Sequence, residues 1–116
     1  MDKRLKNRVA LITGSGQGIG RAIACRFAQE GAKVVVIDIM EDCAQAVAGE
    51  IKTTGGDALA LVCDVTKRDQ VESAVQEALA TYGRIDILCN NAGITRDARL
   101  VKMTEEQFDT VIDVNL

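Results

Sequence analysis

Apolar residues along this chain fall into two alternating patterns. Short runs rich in β-branched residues occur at 9–12 (Val-Ala-Leu-Ile), 33–39 (Lys-Val-Val-Val-Ile-Asp-Ile), 57–63 (Asp-Ala-Leu-Ala-Leu-Val-Cys) and 85–89 (Ile-Asp-Ile-Leu-Cys). Each is too short for a helix and reads as a buried strand. Between them the apolar positions recur at helical spacing. Residues 21–30 have helix-favouring composition and close on Gly31. Residues 41–54 place Ala44, Val47, Ala48 and Ile51 on one face and stop at Gly55-Gly56. A third stripe runs through Val71, Ala74, Val75, Ala78, Leu79 and Tyr82 to Gly83, with Thr66 placed as its cap and Asp69 three residues on. After a charged loop at 94–102, Thr104-Glu105-Glu106-Gln107 is a capping box with Met103 and Phe108 as its staple, and Phe108, Val111, Ile112 and Asn115 share a stripe. This last helical pattern reaches Leu116 without a closing signal, so the expected sequence is one that continues.

Strands and helices alternating through short connections require parallel pairing with right-handed crossovers. The expected fold is an α/β doubly wound parallel sheet, first half only, in strand order 3-2-1-4. Strand four would then be an edge, yet it lacks the lysines, prolines or bulges that protect edges. Either further strands follow or a second copy covers it, which makes a homo-oligomer the expected state.

The first strand runs into glycines at 14, 16, 18 and 20, immediately before a helix. Glycine lets the backbone turn sharply and approach a ligand closely, and the helix N-terminus favours negative charge. Together these make a phosphate cradle. The spacing that fits is Thr13-Gly14-x-x-x-Gly18-Ile19-Gly20, and the absence of Gly-Lys-Ser/Thr excludes a triphosphate-hydrolysing loop. Asp38 lies eighteen residues after Gly20, near the end of the second strand, where a carboxylate can accept bonds from the adenosine ribose hydroxyls. Its charge would repel a 2′-phosphate, which favours NAD over NADP. The alternative is an acid serving the next helix's first turn beside Glu41 and Asp42. The fourth strand opens onto Asn90-Asn91-Ala92-Gly93, at the crevice edge if these are ligand contacts and a plain turn if they are not.

Net charge is −3 and no basic face for nucleic acid is implied. The apolar run after the basic start ends at Ile12, too short for a signal-peptide core or a membrane span, so the expectation is a soluble cytoplasmic protein. Cys25, Cys43, Cys63 and Cys89 are irregularly spaced within apolar patterns, and the chain has no histidine. Zinc and other metal sites, redox Cys-x-x-Cys pairs and histidine-assisted nucleophiles are not supported, and buried free thiols are expected.

Taken in order, Thr13-Gly14-Ser15-Gly16-Gln17-Gly18-Ile19-Gly20, Asp38, Asp64-Val65, Asn90-Asn91-Ala92-Gly93 and Val114-Asn115-Leu116 resemble the amino-terminal half of a classical short-chain dehydrogenase/reductase. The run Asn91-Ala92-Gly93-Ile94-Thr95-Arg96-Asp97 further resembles the 3-oxoacyl-acyl-carrier-protein reductase branch. The resemblance implies a Rossmann-type fold and hydride transfer between nicotinamide and a carbonyl or alcohol. It assigns Gly14, Ser15, Gln17, Gly18, Ile19 and Gly20 to the pyrophosphate and nicotinamide-side ribose, and Asp38 to the adenosine ribose. Asp64 and Val65 would flank adenine, and Asn91, Ala92 and Gly93 would line the cofactor floor. Asn115 matches the Asn of the family's catalytic tetrad, which helps hold a water in the proton relay.

The tetrad's Ser, Tyr and Lys find no match. The only tyrosine, Tyr82, has Asp86 rather than Lys four residues on and fits an apolar stripe, so it is read as a packing residue. Two readings follow. In one the chain is the cofactor-binding half of an NAD-dependent oxidoreductase acting on a small carbonyl or alcohol, inactive alone. In the other it is a non-catalytic nucleotide-binding half-domain that dimerises through its fourth strand.

Overall fold

The computed structural model describes residues 3–91 and the backbone of a strand at 112–115. Five strands form one sheet: β1 (Val9–Thr13), β2 (Lys33–Asp38), β3 (Asp57–Val62), β4 (Ile87–Asn90) and β5 (Ile112–Asn115). All pairings are parallel, in the order β3-β2-β1-β4-β5. The helices are α1 (Gly18–Gln29), α2 (Glu41–Thr53) and α3 (Arg68–Tyr82).

Period-two alternation along each strand divides the core between the two faces of the sheet. Ala10, Ile12, Val34, Val36, Ile87 and Cys89 pack with α1 and α2. Those helices present small residues, Ala24 and Ala28 from α1 and Ala44 and Ala48 from α2, which let them lie close to the strands. Val9, Leu11, Val35, Ile37, Leu61 and Leu88 face the other way, against Val71, Val75 and Ala78 of α3. With both faces covered, β1 is buried along its whole length. Gly83, at φ 79°, ends α3 as expected, its amide donating to the Leu79 carbonyl at 2.7 Å.

Two expectations are corrected. Ile112–Asn115 is a strand, not part of a helical stripe, and it takes the edge of β4, so β4 is flanked on both sides. Ile-Asp-Val-Asn alternates with period two, and the open ladder of β4 offers its backbone partners that a helix would not use. Thr66 does not cap α3, whose N-cap is Lys67 without a side-chain bond. The Thr66 hydroxyl and amide instead donate to Asp64 Oδ1, at 2.6 and 2.9 Å, a local turn that competes with capping. The expected capping box at 104–107, the Met103–Phe108 pair, Val111, and the loop at 94–102 lie outside the described residues, as does Leu116.

At the amino end of the sheet Asp86 joins β1 to β4. Its Oδ2 accepts from the Val9 amide at 2.8 Å, and its own amide donates to the Val9 carbonyl at 2.8 Å. Arg84 Nε donates to Oδ1 at 3.0 Å, and Arg8 lies 3.6 Å from the same oxygen. Burial pushes the Asp86 carboxyl up, but the Arg84 bonds, the Val9 amide and the two guanidinium charges outweigh it and hold it below the usual carboxylate range. A lowered folded pKa means stability that is present above the unfolded value, about 4, and is lost as pH falls through the folded one. Replacing Asp86 with Ala is expected to lower unfolding free energy by about 3 kcal/mol at neutral pH, measured by urea denaturation. The deficit should shrink progressively below about pH 4.

Candidate functional site

β2 and β4 leave β1 on opposite sides, so the crevice lies outside the carboxyl ends of β1, β2 and β4. The chain leaves β1 through Gly14 and enters α1 at Gly18, both at left-handed φ (62° and 61°), which favours glycine at each. A Cβ on Gly18 would meet nothing within 4 Å, so this bend faces open space. At Gly20 a Cβ would lie 2.1 Å from the Gly14 carbonyl oxygen and 2.7 Å from Asn91 Nδ2, so α1 can start this close to the loop only without a side chain there. Gln17, the N-cap, makes no side-chain capping bond. The first-turn amides of α1, at Gly18, Ile19 and Gly20, therefore have no side-chain cap and lie where an anion would be bound.

Ser15 occupies a different place from the one its motif suggests. It is fully buried, its hydroxyl donates to the Ile12 carbonyl at 2.7 Å and accepts from the Ile37 amide at 3.0 Å, and its own amide donates to the Ile37 carbonyl at 3.0 Å. Ser15 thus staples the loop to β1 and β2 from inside, its hydroxyl and amide both bonded within the protein.

Asp38 closes the β2 side. It is only 6% exposed, and its two oxygens accept different backbone amides: Oδ2 from Gly16 at 2.9 Å and Oδ1 from Met40 at 3.0 Å. Each carboxylate oxygen has two acceptor positions, so one remains on each. Through Met40, the N-cap of α2, Asp38 also serves the entry to that helix. Ile19, Ile39 and Met40 are exposed apolar side chains at this same end of the sheet.

The β4 side is a neutral network. Thr13 Oγ1 donates to Asn90 Oδ1 at 3.1 Å and accepts from the Asn91 amide at 3.0 Å, while Asn91 Nδ2 donates to the Gly14 carbonyl at 3.2 Å. Asn90 Nδ2 is buried without a hydrogen-bond partner among the described residues. Asn91 is therefore brought to the glycine loop, whereas Ala92 and Gly93 lie outside the described residues. The backbone of Asn115 ends β5 beside Asn90, at the same end of the sheet. Asp64 follows β3, and its carboxyl is held low by the Thr66 hydroxyl and then the Thr66 amide. Val65 packs against the α3-side core.

The sequence places Thr13, Gly16 and Asn90 in the motifs without giving any of them a contact of its own. Thr13 and Asn90 carried a usable signal, a polar residue ending an otherwise buried strand. Tyr82 is remote from the loop, at the amino end of β3. Its hydroxyl donates to Asp57 at 2.9 Å, and burial followed by that bond pushes the phenol well above its ordinary value. Its position at the opposite end of the sheet from the loop keeps it away from the crevice. Of the thiols, Cys63 and Cys89 are buried and Cys25 and Cys43 half-buried. Burial pushes the Cys63 thiol up to about 11, with Asp64 and Asp69 adding to it. Burial and then Glu50 also raise Cys25, so neither is a poised nucleophile.

A separate cleft of 460 Å³ opens at the amino end of the sheet, lined in part by Lys3, Lys6, Gly31, Lys33 and Asp57. The Lys33 ammonium there lies 5.7 Å from the centre of the Tyr82 ring. No helix among the described residues is long and apolar enough to cross a membrane.

The family model for short chain dehydrogenase matches residues 8–116. The 3-oxoacyl-acyl-carrier-protein reductase FabG of Thermotoga maritima is 49% identical over 113 residues, covering 97% of this chain and 46% of that protein. The reductase of the same name from Chlamydia muridarum is 44% identical over 117 residues, 100% of this chain and 47% of its own length. The chain thus spans a little under half the length of these relatives. Among solved structures, a 7α-hydroxysteroid dehydrogenase complexed with NADH and 7-oxo glycochenodeoxycholic acid superposes with a TM-score of 0.90 at 31% identity, over 97% of this chain and 55% of that one.

The Thr13 network yields a test. Thr13→Val keeps the shape but strands the Asn91 amide and Asn90 Oδ1, and is expected to cost about 2 kcal/mol in thermal or urea unfolding.

Proposed function

The chain belongs to the short-chain dehydrogenase/reductase family, and from that membership we propose that it is the cofactor-binding half of an NAD-dependent oxidoreductase. When bound, the nicotinamide supplies or accepts the hydride exchanged with a small carbonyl or alcohol substrate. The residues present fit such a cofactor. The bend at Gly18 opens on free space, the first turn of α1 carries no side-chain cap, and a buried carboxylate stands beside the loop with acceptor positions to spare.

In this reading the backbone at Gly14, Gly18, Ile19 and Gly20, with Gln17 at its rim, binds the diphosphate and the nicotinamide-side ribose. Asp64 and Val65 flank adenine, and Asn91, Ala92 and Gly93 form the floor. Asn115 would orient the proton-relay water that its place in the family motif implies. We do not assign the proton donor to Tyr82, which is bonded to Asp57 at the far end of the sheet. In this reading it belongs to the part of the relatives' length that this chain does not span.

The observation that carries the choice of NAD is Asp38. A buried carboxylate 2.9 Å from the loop amide, with one acceptor position left on each oxygen, suits an unmodified ribose diol. A 2′-phosphate would meet its negative charge there. The alternative of a dimer paired through β4 has no observation in its favour, because β5 occupies that edge.

Equilibrium titration with NADH and NADPH tests the cofactor reading. Asp38→Ala is expected to cost roughly 1.5 to 3 kcal/mol of NADH affinity, and an unaltered affinity would take Asp38 out of the site. The 116 residues by themselves are expected to bind NADH without oxidising it in the presence of a ketone. Turnover, followed as loss of nicotinamide absorbance, would overturn the assignment of the proton donor to other sequence.

A further inference from the structure

We infer that the outer edge of β3 is a docking surface for an extended, lysine- or arginine-bearing segment of another protein, which adds to the sheet as a further strand. Among the described residues β3 ends the sheet, paired with β2 alone. Its register with β2 runs unbroken from Lys33↔Asp57 to Asp38↔Val62, so no bulge turns the edge away, and Asp-Ala-Leu-Ala-Leu-Val holds no lysine or proline. The Cys63 amide donates to the Asp38 carbonyl at 3.1 Å, which sets the alternation. Odd-numbered residues of β3 bond β2, and the amides and carbonyls of Ala58, Ala60 and Val62 face outward. The next even-numbered amide, that of Asp64, donates to Gln70 Oε1 at 2.8 Å, a side chain standing in for a partner strand's carbonyl.

The helices on the two faces do not close over this edge. A groove of 420 Å³ runs along it between α2 and α3, lined by Ala60 and Val62, and Val62 is 51% exposed. An open strand edge gives affinity through its backbone whatever the partner's sequence, so the side chains around it choose the occupant. Here they are acidic: Glu41 of α2 and Asp69 and Glu77 of α3, all exposed, line the groove together with no lysine or arginine. None of the three is in an ion pair among the described residues. A second copy of this chain would bring its own three carboxylates against these, and like charges across a strand pair are destabilising. A cationic segment meets the reverse. Asp69 and Glu77 stand eight residues apart on α3, about 12 Å along its axis, and residues i and i+4 of a strand span about 13 Å. An extended segment with cations four residues apart matches that spacing.

This surface lies outside the crevice and does not depend on the oxidoreductase reading. The test is nuclear magnetic resonance of the isotope-labelled chain titrated with the peptide acetyl-Lys-Val-Thr-Val-Lys-amide, with the same peptide carrying Glu for each Lys as the control. Near saturation the lysine peptide is expected to slow solvent exchange of the Ala60 and Val62 amides on the order of tenfold. The Leu59 and Leu61 amides, already bonded to β2, should be unchanged. Replacing the two α3 acids together, Asp69→Asn with Glu77→Gln, is expected to weaken the peptide about fivefold, and added salt should do the same. Protection that falls on odd and even residues alike, equal binding of the glutamate peptide, or no binding at about 5 mM peptide would each overturn the inference. An affinity unaltered in the double variant would overturn the choice of a cationic occupant. A dimer in sedimentation that protects the same alternate amides would give the edge to a second copy and overturn it as well.

Discussion

The backbone leaving β1 has very little room. β1 is buried along its length and its two neighbours diverge at its end, so the chain must turn between walls that already stand there. On one side are Asp38 and Cys43, on the other Asn91, and a Cβ at Gly16 or Gly20 would collide with one wall or the other. Steric exclusion at this turn, more than any single hydrogen bond, brings loop amides, the carboxylate of β2 and the amide side chain after β4 within a few ångströms of one another. Ser15 then fixes the turn by filling its inner side with bonds to both β1 and β2.

The two ends of the sheet are held by different chemistry. At the amino end the join between β1 and β4 is ionic, through Asp86 with Arg84 and Arg8. At the carboxyl end the same two strands are joined by uncharged groups, Thr13 with Asn90 and the Asn91 amide. Keeping ion pairs away from the crevice leaves Asp38 as the buried charge beside the phosphate loop among the described residues.

Much of this was legible in the sequence, for identifiable reasons. The runs at 9–12 and 33–39 read as strands because unbroken β-branched stretches have no other stable use at that length, and Asp38 was conspicuous as the carboxylate inside one of them. The family motif located the loop. Other features were hidden because they depend on where a side chain turns. Ser15 sits inside a ligand-binding motif yet faces the core, and Thr66 had the spacing of a helix cap but bonds Asp64. Spacing shows that residue 16 is a glycine of the loop but not what crowds it, which is Asp38 and Cys43, far off in the chain. At 112–115 helical and strand periods were both available in Ile-Asp-Val-Asn, and the unpaired ladder of β4 decided between them.

Tyr82 also makes the molecule a convenient optical system. The chain has no tryptophan and this one tyrosine, anchored to Asp57 with Lys33 Nζ 5.7 Å from the centre of its ring. Ultraviolet emission from the protein therefore reports a single junction between α3 and β3, at the opposite pole from the phosphate loop. Light emitted by a reduced nicotinamide would be seen against an almost dark protein background, so the two colours would follow folding and occupancy separately in one cuvette.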